Sequence, residues 1–251
     1  MRIKAKNIKL ELTYDGTEYL GWQKTKMGPS IEEVLENALS KILQHEIKLQ
    51  AASRTDAGVN AVGQVVNFFT RQHLEFGKLL DGLNGVLPKD IVATGIEEAA
   101  ESFHPTIDAK GKTYHYYVCY GKTQLPHQRH HAWHYPFALD IEAIKTAIPF
   151  LIGERDFSAF CNMKTERIYS DSKRRIETIE LLELTDEHLR FNIRGNHFLY
   201  KMVRILVGTL VYVGHGKINP EEIPNILQSG DRTRAGVTAP AHGLFLHKVF
   251  Y

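Results

Sequence analysis

Residues 8–14, IKLELTY, alternate apolar and polar, the period of a strand with one buried face. Asp15-Gly16-Thr17 is turn chemistry, and Gly28-Pro29 closes the segment that follows. The period then changes. Ile31, Val34, Leu35, Ala38, Leu39, Ile42 and Leu43 form one stripe at helical spacing, with Ser30 as N-cap and Glu33 in the capping-box position. Residues 47–52 (IKLQAA) and 62–69 (VGQVVNFF) return to strand patterning, with the tight loop SRTDAGVNA between them. A second helix is expected from about His73 to Asn84, stopping near Gly85 and Pro88, and DIVATGI supplies a fourth strand.

The second half repeats this order. KTYHYYVCY (112–120) predicts a strand, and Trp133 to Tyr135 extends a hairpin with it. Asp140 caps a helix carrying Ile141, Ile144, Ile148 and Leu151, which Pro149 is expected to kink or end early. RRIETIELLEL and HLRFNIR read as two alternating strands joined by a polar turn around Thr185 and Asp186. A strongly apolar helix from about Phe198 to Val213 follows, then a short helix opened by Asn219-Pro220 and ended by Gly230, and GLFLHKVF as the last strand. Each half thus reads β-α-β-β-α-β, which predicts an α+β fold of two ferredoxin-like halves. Their antiparallel sheets are expected side by side, with helices on one face and an active-site cleft between the halves. The expected domains are residues 1–105 and 106–251, with the boundary near Pro105 to Ala109. No residue-level repeat accompanies the duplication.

With 251 residues, 43% of them hydrophobic, the chain suffices for one large domain or two small ones. No apolar run approaches the ~20 residues of a membrane span. The basic start MRIKAKNIKLEL leads into no apolar signal region, so a cytoplasmic protein without a membrane partner is expected. Cys119 and Cys161 alone make neither a disulfide framework nor a zinc site. A net charge of +2 means that any RNA surface must come from local clustering.

Ser53-Arg54-Thr55-Asp56-Ala57-Gly58-Val59 lies between two predicted strands. Asp, Gly and Thr are ordinary turn residues, so a plain turn is one reading. The other rests on crowding an arginine and a carboxylate into one rigid loop. A carboxylate beside a guanidinium stays ionised and keeps its direction, which prepares it as nucleophile or base.

The run SRTDAGVNAVGQVVNF resembles the signature of the TruA-type tRNA pseudouridine synthases, written around RTDAGVHA. YDGTEYLGWQ (14–23), LNGVLPKDI, FHPTIDAKGKTYHYYV, GERDFSAF, GNHFLYKMVRILVGTLVYVG and APAHGLFLHKV resemble further blocks of that family in the same order, over nearly the whole chain. Two positions depart from the family run: Ser53 stands where Gly is usual and Asn60 where His is usual. Neither is the catalytic position.

The resemblance implies an isomerase that turns uridine into pseudouridine in the tRNA anticodon stem-loop, at tRNA positions 38–40, as a homodimer. The base is cut from ribose C1′ at N1, turned, and rejoined through C5. Nothing is oxidised or hydrolysed, so no cofactor and no metal are expected, and the chain carries neither a P-loop nor G-x-G-x-x-G. By resemblance Asp56 is the catalytic carboxylate; attack at C1′, attack at C6, and removal of the ribose 2′ proton all remain open. Arg54 holds the flipped base or makes a plain phosphate contact. Tyr114 stacks on the uracil, with removal of the C5 proton as a further role, whereas Tyr116 on the same strand face is structural. Arg204, in an otherwise apolar helix, either pairs with Asp56 or snorkels at the helix edge. Leu244 and Leu246 form an apolar wall against the base, a role compatible with a core strand. Lys173-Arg174-Arg175, Arg232 with Arg234, and Arg129-His130-His131 are basic clusters suited to RNA phosphates. Two rivals are weighed. A non-catalytic RNA-binding module lacks its aromatic run here. A metal-dependent hydrolase would use Asp15, Asp56 and the histidines at 127, 130, 131 and 134.

Overall fold

The structure, a computed structural model, describes residues 4–162, 171–185 and 187–251. The expected turn residue Asp186 lies outside them. In chain order the elements are β1 (Lys6–Tyr14), α1 (Ile31–Leu43), β2 (Gln50–Ala51), β3 (Asn60–Thr70), α2 (Phe76–Val86), β4 (Ile91–Ala99), β5 (Gly111–Tyr120), β6 (Trp133–Tyr135), α3 (Ile141–Leu151), β7 (Gly153–Asp156), β8 (Lys173–Thr185), β9 (His188–Gly195), α4 (Met202–Gly214), α5 (Ile223–Ser229) and β10 (Leu244–Phe250). The fold is therefore α+β, and its ladders are mostly antiparallel. No helix among the described residues is long and apolar enough to cross a membrane.

The chain divides into two compact units, 1–110 with 245–251, and 111–244. In the first, β1 pairs antiparallel with β3 on one edge and with β4 on the other. Ile8, Leu10 and Leu12 of β1 are fully buried, as the alternation demands. The α1 stripe buries Ile31, Leu35, Leu39 and Leu43, each stabilising by roughly 1.5–3 kcal/mol. Ser30 caps that helix, its hydroxyl accepting the Glu33 N–H at 3.3 Å. The predicted strand at 47–52 shrinks to two residues, Gln50–Ala51, opposite Asn67 and Val66 of β3. That leaves the start of the same β3 edge to another partner. β10 takes it in parallel register, Phe245 opposite Asn60 and Leu246 opposite Ala61. The final residues, expected in the second domain, therefore belong to the first unit. The Phe250 carbonyl accepts the Lys110 N–H at 2.8 Å, and the Tyr251 hydroxyl donates to the Pro105 carbonyl at 3.0 Å. An eleven-residue strand beside a two-residue neighbour needs that extra backbone pairing.

In the second unit the strand order is β5-β9-β8-β7, every neighbouring pair antiparallel. β6 joins β5 in parallel, Val118 opposite Trp133, so the expected hairpin is corrected. The intervening loop of residues 121–132 is long enough to bring the chain back to the same end. Pro149 sits inside α3, which continues to Leu151, because Ile144, Ala147, Ile148 and Leu151 are all buried and packing offsets the lost N–H. α4 begins at Met202, not near Phe198, because Lys201 takes a left-handed φ of 60° that interrupts the turn before it. β7 had no sequence signal strong enough to predict it.

Candidate active site

The loop 53–59 is built by its neighbours in the first unit. Thr55 is buried, and its hydroxyl bonds the Tyr14 hydroxyl at 2.8 Å. Its carbonyl accepts the Trp22 N–H at 3.0 Å. The Gln64 side chain closes the other end, donating to the Ser53 carbonyl at 2.7 Å and accepting the Ser53 N–H at 3.2 Å. Asp56 opens a turn whose Val59 N–H returns to the Asp56 carbonyl at 3.1 Å, and Gly58 holds a φ of 75°. With Thr55 pinned inward, Arg54 is exposed and Asp56 half-buried.

Residues 14–23 pack directly against this loop, which brings two distant sequence blocks together in space. A Cβ on Gly16 would sit 2.1 Å from the Val59 carbonyl oxygen. A Cβ on Gly21, at φ +95°, would sit 2.7 Å from that of Thr55. Asn60, one of the two departures from the family run, is fully buried, and its Oδ1 accepts the Gly16 N–H at 2.8 Å. It therefore ties the two blocks together. Tyr19 adds a third strut: its carbonyl accepts the Gly58 N–H at 3.2 Å and its hydroxyl donates to Asp90 at 2.8 Å. Burial and that carboxylate hold the Tyr19 phenol well above its usual range. The Asp15 carboxylate accepts from the Thr17 N–H and hydroxyl, a local turn role.

In the second unit, Lys112, Tyr114 and Tyr116 lie on one face of β5. Tyr114 is 7% exposed and meets Phe198 edge to face at 5.0 Å. Tyr116 is fully buried, with its hydroxyl donating to the Pro240 carbonyl at 2.8 Å. Burial raises its phenol, while the nearby Arg204 charge pulls the other way. The Arg204 Nε donates to the Ala239 carbonyl at 2.7 Å, and the Ala239 N–H returns to the Arg204 carbonyl at 3.1 Å. That reciprocal pair fixes the arginine on α4 against residues 239–243.

Two residues missed by sequence reasoning join Tyr114. Lys112 is buried, which brings its ammonium down to about 8. His197 is lowered by burial, then by the positive charges of Lys112 and Arg174. Arg174 of the expected 173–175 cluster thus lies with Lys112, His197 and Phe198 near Tyr114, while Lys173 and Arg175 are exposed on the same strand. The signal for Lys112 was its spacing of two from Tyr114, which puts both on one strand face. Leu244 and Leu246 are both buried, as a core strand requires. Among the described residues, no group of three or more His, Cys, Asp or Glu is placed to hold a metal ion.

The sequence model of a tRNA pseudouridine synthase family matches residues 12–106 and 147–251. The chain is 54% identical over 246 residues to tRNA pseudouridine synthase A 2 of Protochlamydia amoebophila, covering 98% of this chain and 94% of that one. It is 44% identical to tRNA pseudouridine synthase A of a Thermoanaerobacter species, covering 98% of this chain and all of that one. It is 43% identical to tRNA pseudouridine synthase A 1 of Bacillus cereus, covering 97% and 98%. Agreement along nearly the whole length leads to one assignment: the chain belongs to the tRNA pseudouridine synthase family and is an isomerase of tRNA uridines.

Proposed function

We propose that Asp56 carries the isomerisation and that its targets are uridines of the anticodon stem-loop. The observation that supports Asp56 is the bracing around it. Thr55, Gly58 and Val59 are each bonded in place, so the carboxylate sits on a loop held at several points. The reaction breaks N1–C1′ and forms C5–C1′; the C5 proton leaves and N1 gains one. Each open route begins with a carboxylate oxygen at the ribose or the base. Arg54, exposed beside it, is proposed to hold the flipped nucleotide. Arg204 is proposed to pair with the Asp56 carboxylate and fix its direction. Lys173, Arg174 and Arg175 are proposed as phosphate contacts, and Leu244 with Leu246 as apolar support for the base. The proposal includes two ferredoxin-like halves and a homodimeric, cytoplasmic enzyme. The antiparallel order β4-β1-β3-β2 of the first unit supports the fold.

The direct test is unmodified tRNA incubated with the protein in EDTA, with pseudouridine mapped by position. Modification of anticodon-arm uridines without any added cofactor is expected. Modification confined to another arm would overturn the target, and activity restored only by added zinc or magnesium would overturn the cofactor-free chemistry.

Tyr114 is proposed to stack on the uracil. Its small exposure leaves no full ring face open, so a base stacks on it only if a neighbour such as Phe198 shifts. Stacking is worth about 1–3 kcal/mol per base, or roughly 5- to 150-fold. Tyr114→Ala is expected to lower kcat by that range, with less effect on tRNA affinity, and Tyr114→Phe to keep most activity. Tyr116→Ala is expected instead to lower the melting temperature, since truncating a core aromatic costs about 3–5 kcal/mol. Equal losses of kcat and melting temperature in the two alanine variants would show that the strand, not a site tyrosine, is being probed.

A further inference from the structure

Residues 121–139 contain no Asp or Glu, yet they carry Lys122, His127, Arg129, His130, His131 and His134. The segment is not a loose tail. A 3₁₀ turn at Pro126–Gln128 opens its centre, and the Gln128 carbonyl accepts the N–H groups of His131 and Ala132, each at 3.0 Å. The Gln128 side chain meets Cys119 and His188, which fastens the turn to β5 and β9. β6 then pairs with β5, and His134 bonds the Gly121 carbonyl at 2.9 Å. Ala132 is buried, while His127, Arg129, His130 and His131 are exposed.

The tip of this segment meets the residues that hold Arg204. His242 bonds the Ala132 carbonyl at 3.1 Å. Burial lowers the His242 ring, the bond to the Ala132 carbonyl opposes that, and the neighbouring His130, Arg204 and His131 lower it again. His188, at the other side of the turn, is lowered by burial and by His127. Among the described residues, the Glu187 carboxylate lies at the base of the segment, beside Gly121. Arg129, His130, His131, His242 and Arg204 thus concentrate positive or protonatable groups at the tip. Positive charge concentrated on an exposed, anchored turn favours anions, and histidine is the side chain that changes charge between pH 5 and 8.

We propose that His130 and His131, with Arg129, form a pH-tuned phosphate clamp that grips the tRNA backbone on the Arg204 side of the second unit. This rests on the reading of tRNA as substrate. An RNA phosphate is an anion, and binding it favours the charged imidazoles. The KM for tRNA falls as the pH drops from 8 to 6, because protonated histidines enter the complex. The salt dependence of binding steepens over the same interval, by roughly 0.7–0.9 in log–log slope for each histidine that becomes charged.

The test is the KM and kcat for unmodified tRNA at pH 6 and pH 8, for wild type, H130Q/H131Q and H130R/H131R. The glutamine variant is expected to raise KM several-fold at pH 6 and little at pH 8. The arginine variant, permanently charged, is expected to keep the low KM at both. A glutamine variant whose KM rises equally at the two pH values, or does not rise, overturns the clamp. So does an arginine variant that retains the wild-type pH dependence. A wild type that makes no pseudouridine fails the substrate reading itself. A wild type active with a pH-independent KM fails only the clamp.

Discussion

Asp56→Asn is expected to form no pseudouridine above background, a loss on the order of 10⁴-fold or more, the scale reached when a nucleophile is removed. Its melting temperature and tRNA affinity are expected to stay near wild type. The amide matches the carboxylate in size and shape. The bonds that shape the loop, from Trp22 N–H to the Thr55 carbonyl, from the Thr55 hydroxyl to Tyr14, and from Gly58 N–H to the Tyr19 carbonyl, do not use the Asp56 side chain. What is lost is the negative charge and the basic oxygen, which every open route requires. Losing an anion from a site that receives a polyanion does not weaken binding. A purely structural turn predicts the opposite pattern, because Asn replaces Asp well in turns. A folded, tRNA-binding Asp56→Asn protein with normal turnover would therefore remove Asp56 from the chemistry.

Much of this architecture is legible in period alone. The α1 stripe and the β1 alternation appear where the spacing places them, because both elements bury one face against a core. Period fails where backbone pairing or a single dihedral decides. GLFLHKVF reads as a strand whichever sheet it joins, and its period does not show that it pairs with the open edge of β3. WHY reads as an extension of β5, yet its direction depends on the length and turn of the loop before it. Lys201 leaves no trace in the apolar run that follows it, so the start of α4 is read too early. The site divides in the same way. Asp56 announces itself through its loop, because arginine, carboxylate and glycine crowd together in sequence. Lys112 and His197 do not, since the register of β5 on β9 and the turn after β9 bring them together from 85 positions apart. Asn60 reads as a departure from a motif, and only coordinates show its side chain holding Gly16.

Gly21→Ala is the substitution expected to separate the loop's position from its chemistry. Residues 21 and 22 lie between two fixed objects. On one side, the carbonyls of Gly21 and Trp22 accept the N–H groups of Ile31 and Glu32 at the start of α1, at 3.2 and 3.0 Å. On the other, Trp22 N–H holds the Thr55 carbonyl, one residue before Asp56. An alanine methyl would lie 2.7 Å from that carbonyl oxygen and 3.0 Å from both the Ala57 nitrogen and the Asp56 carbonyl carbon. All three are backbone atoms, so no side chain can swing aside. The φ of +95° adds a strain of about 1–3 kcal/mol for a residue with a Cβ. The helix start is locked by the Ser30 cap and the buried Ile31, so the displacement passes to the Asp56 loop. A shift near 1 Å in a catalytic group costs on the order of 10²-fold in rate. Gly21→Ala is therefore expected to lower kcat by about that factor while the protein stays folded at assay temperature and binds tRNA. Gly82→Ala is the matched control: an exposed position inside α2 with nothing within 4 Å of the new methyl, expected to stabilise by roughly 0.5–1 kcal/mol and leave kcat unchanged. A Gly21→Ala protein with kcat within about twofold of wild type would show that the loop tolerates displacement and that its bracing has no part in the reaction.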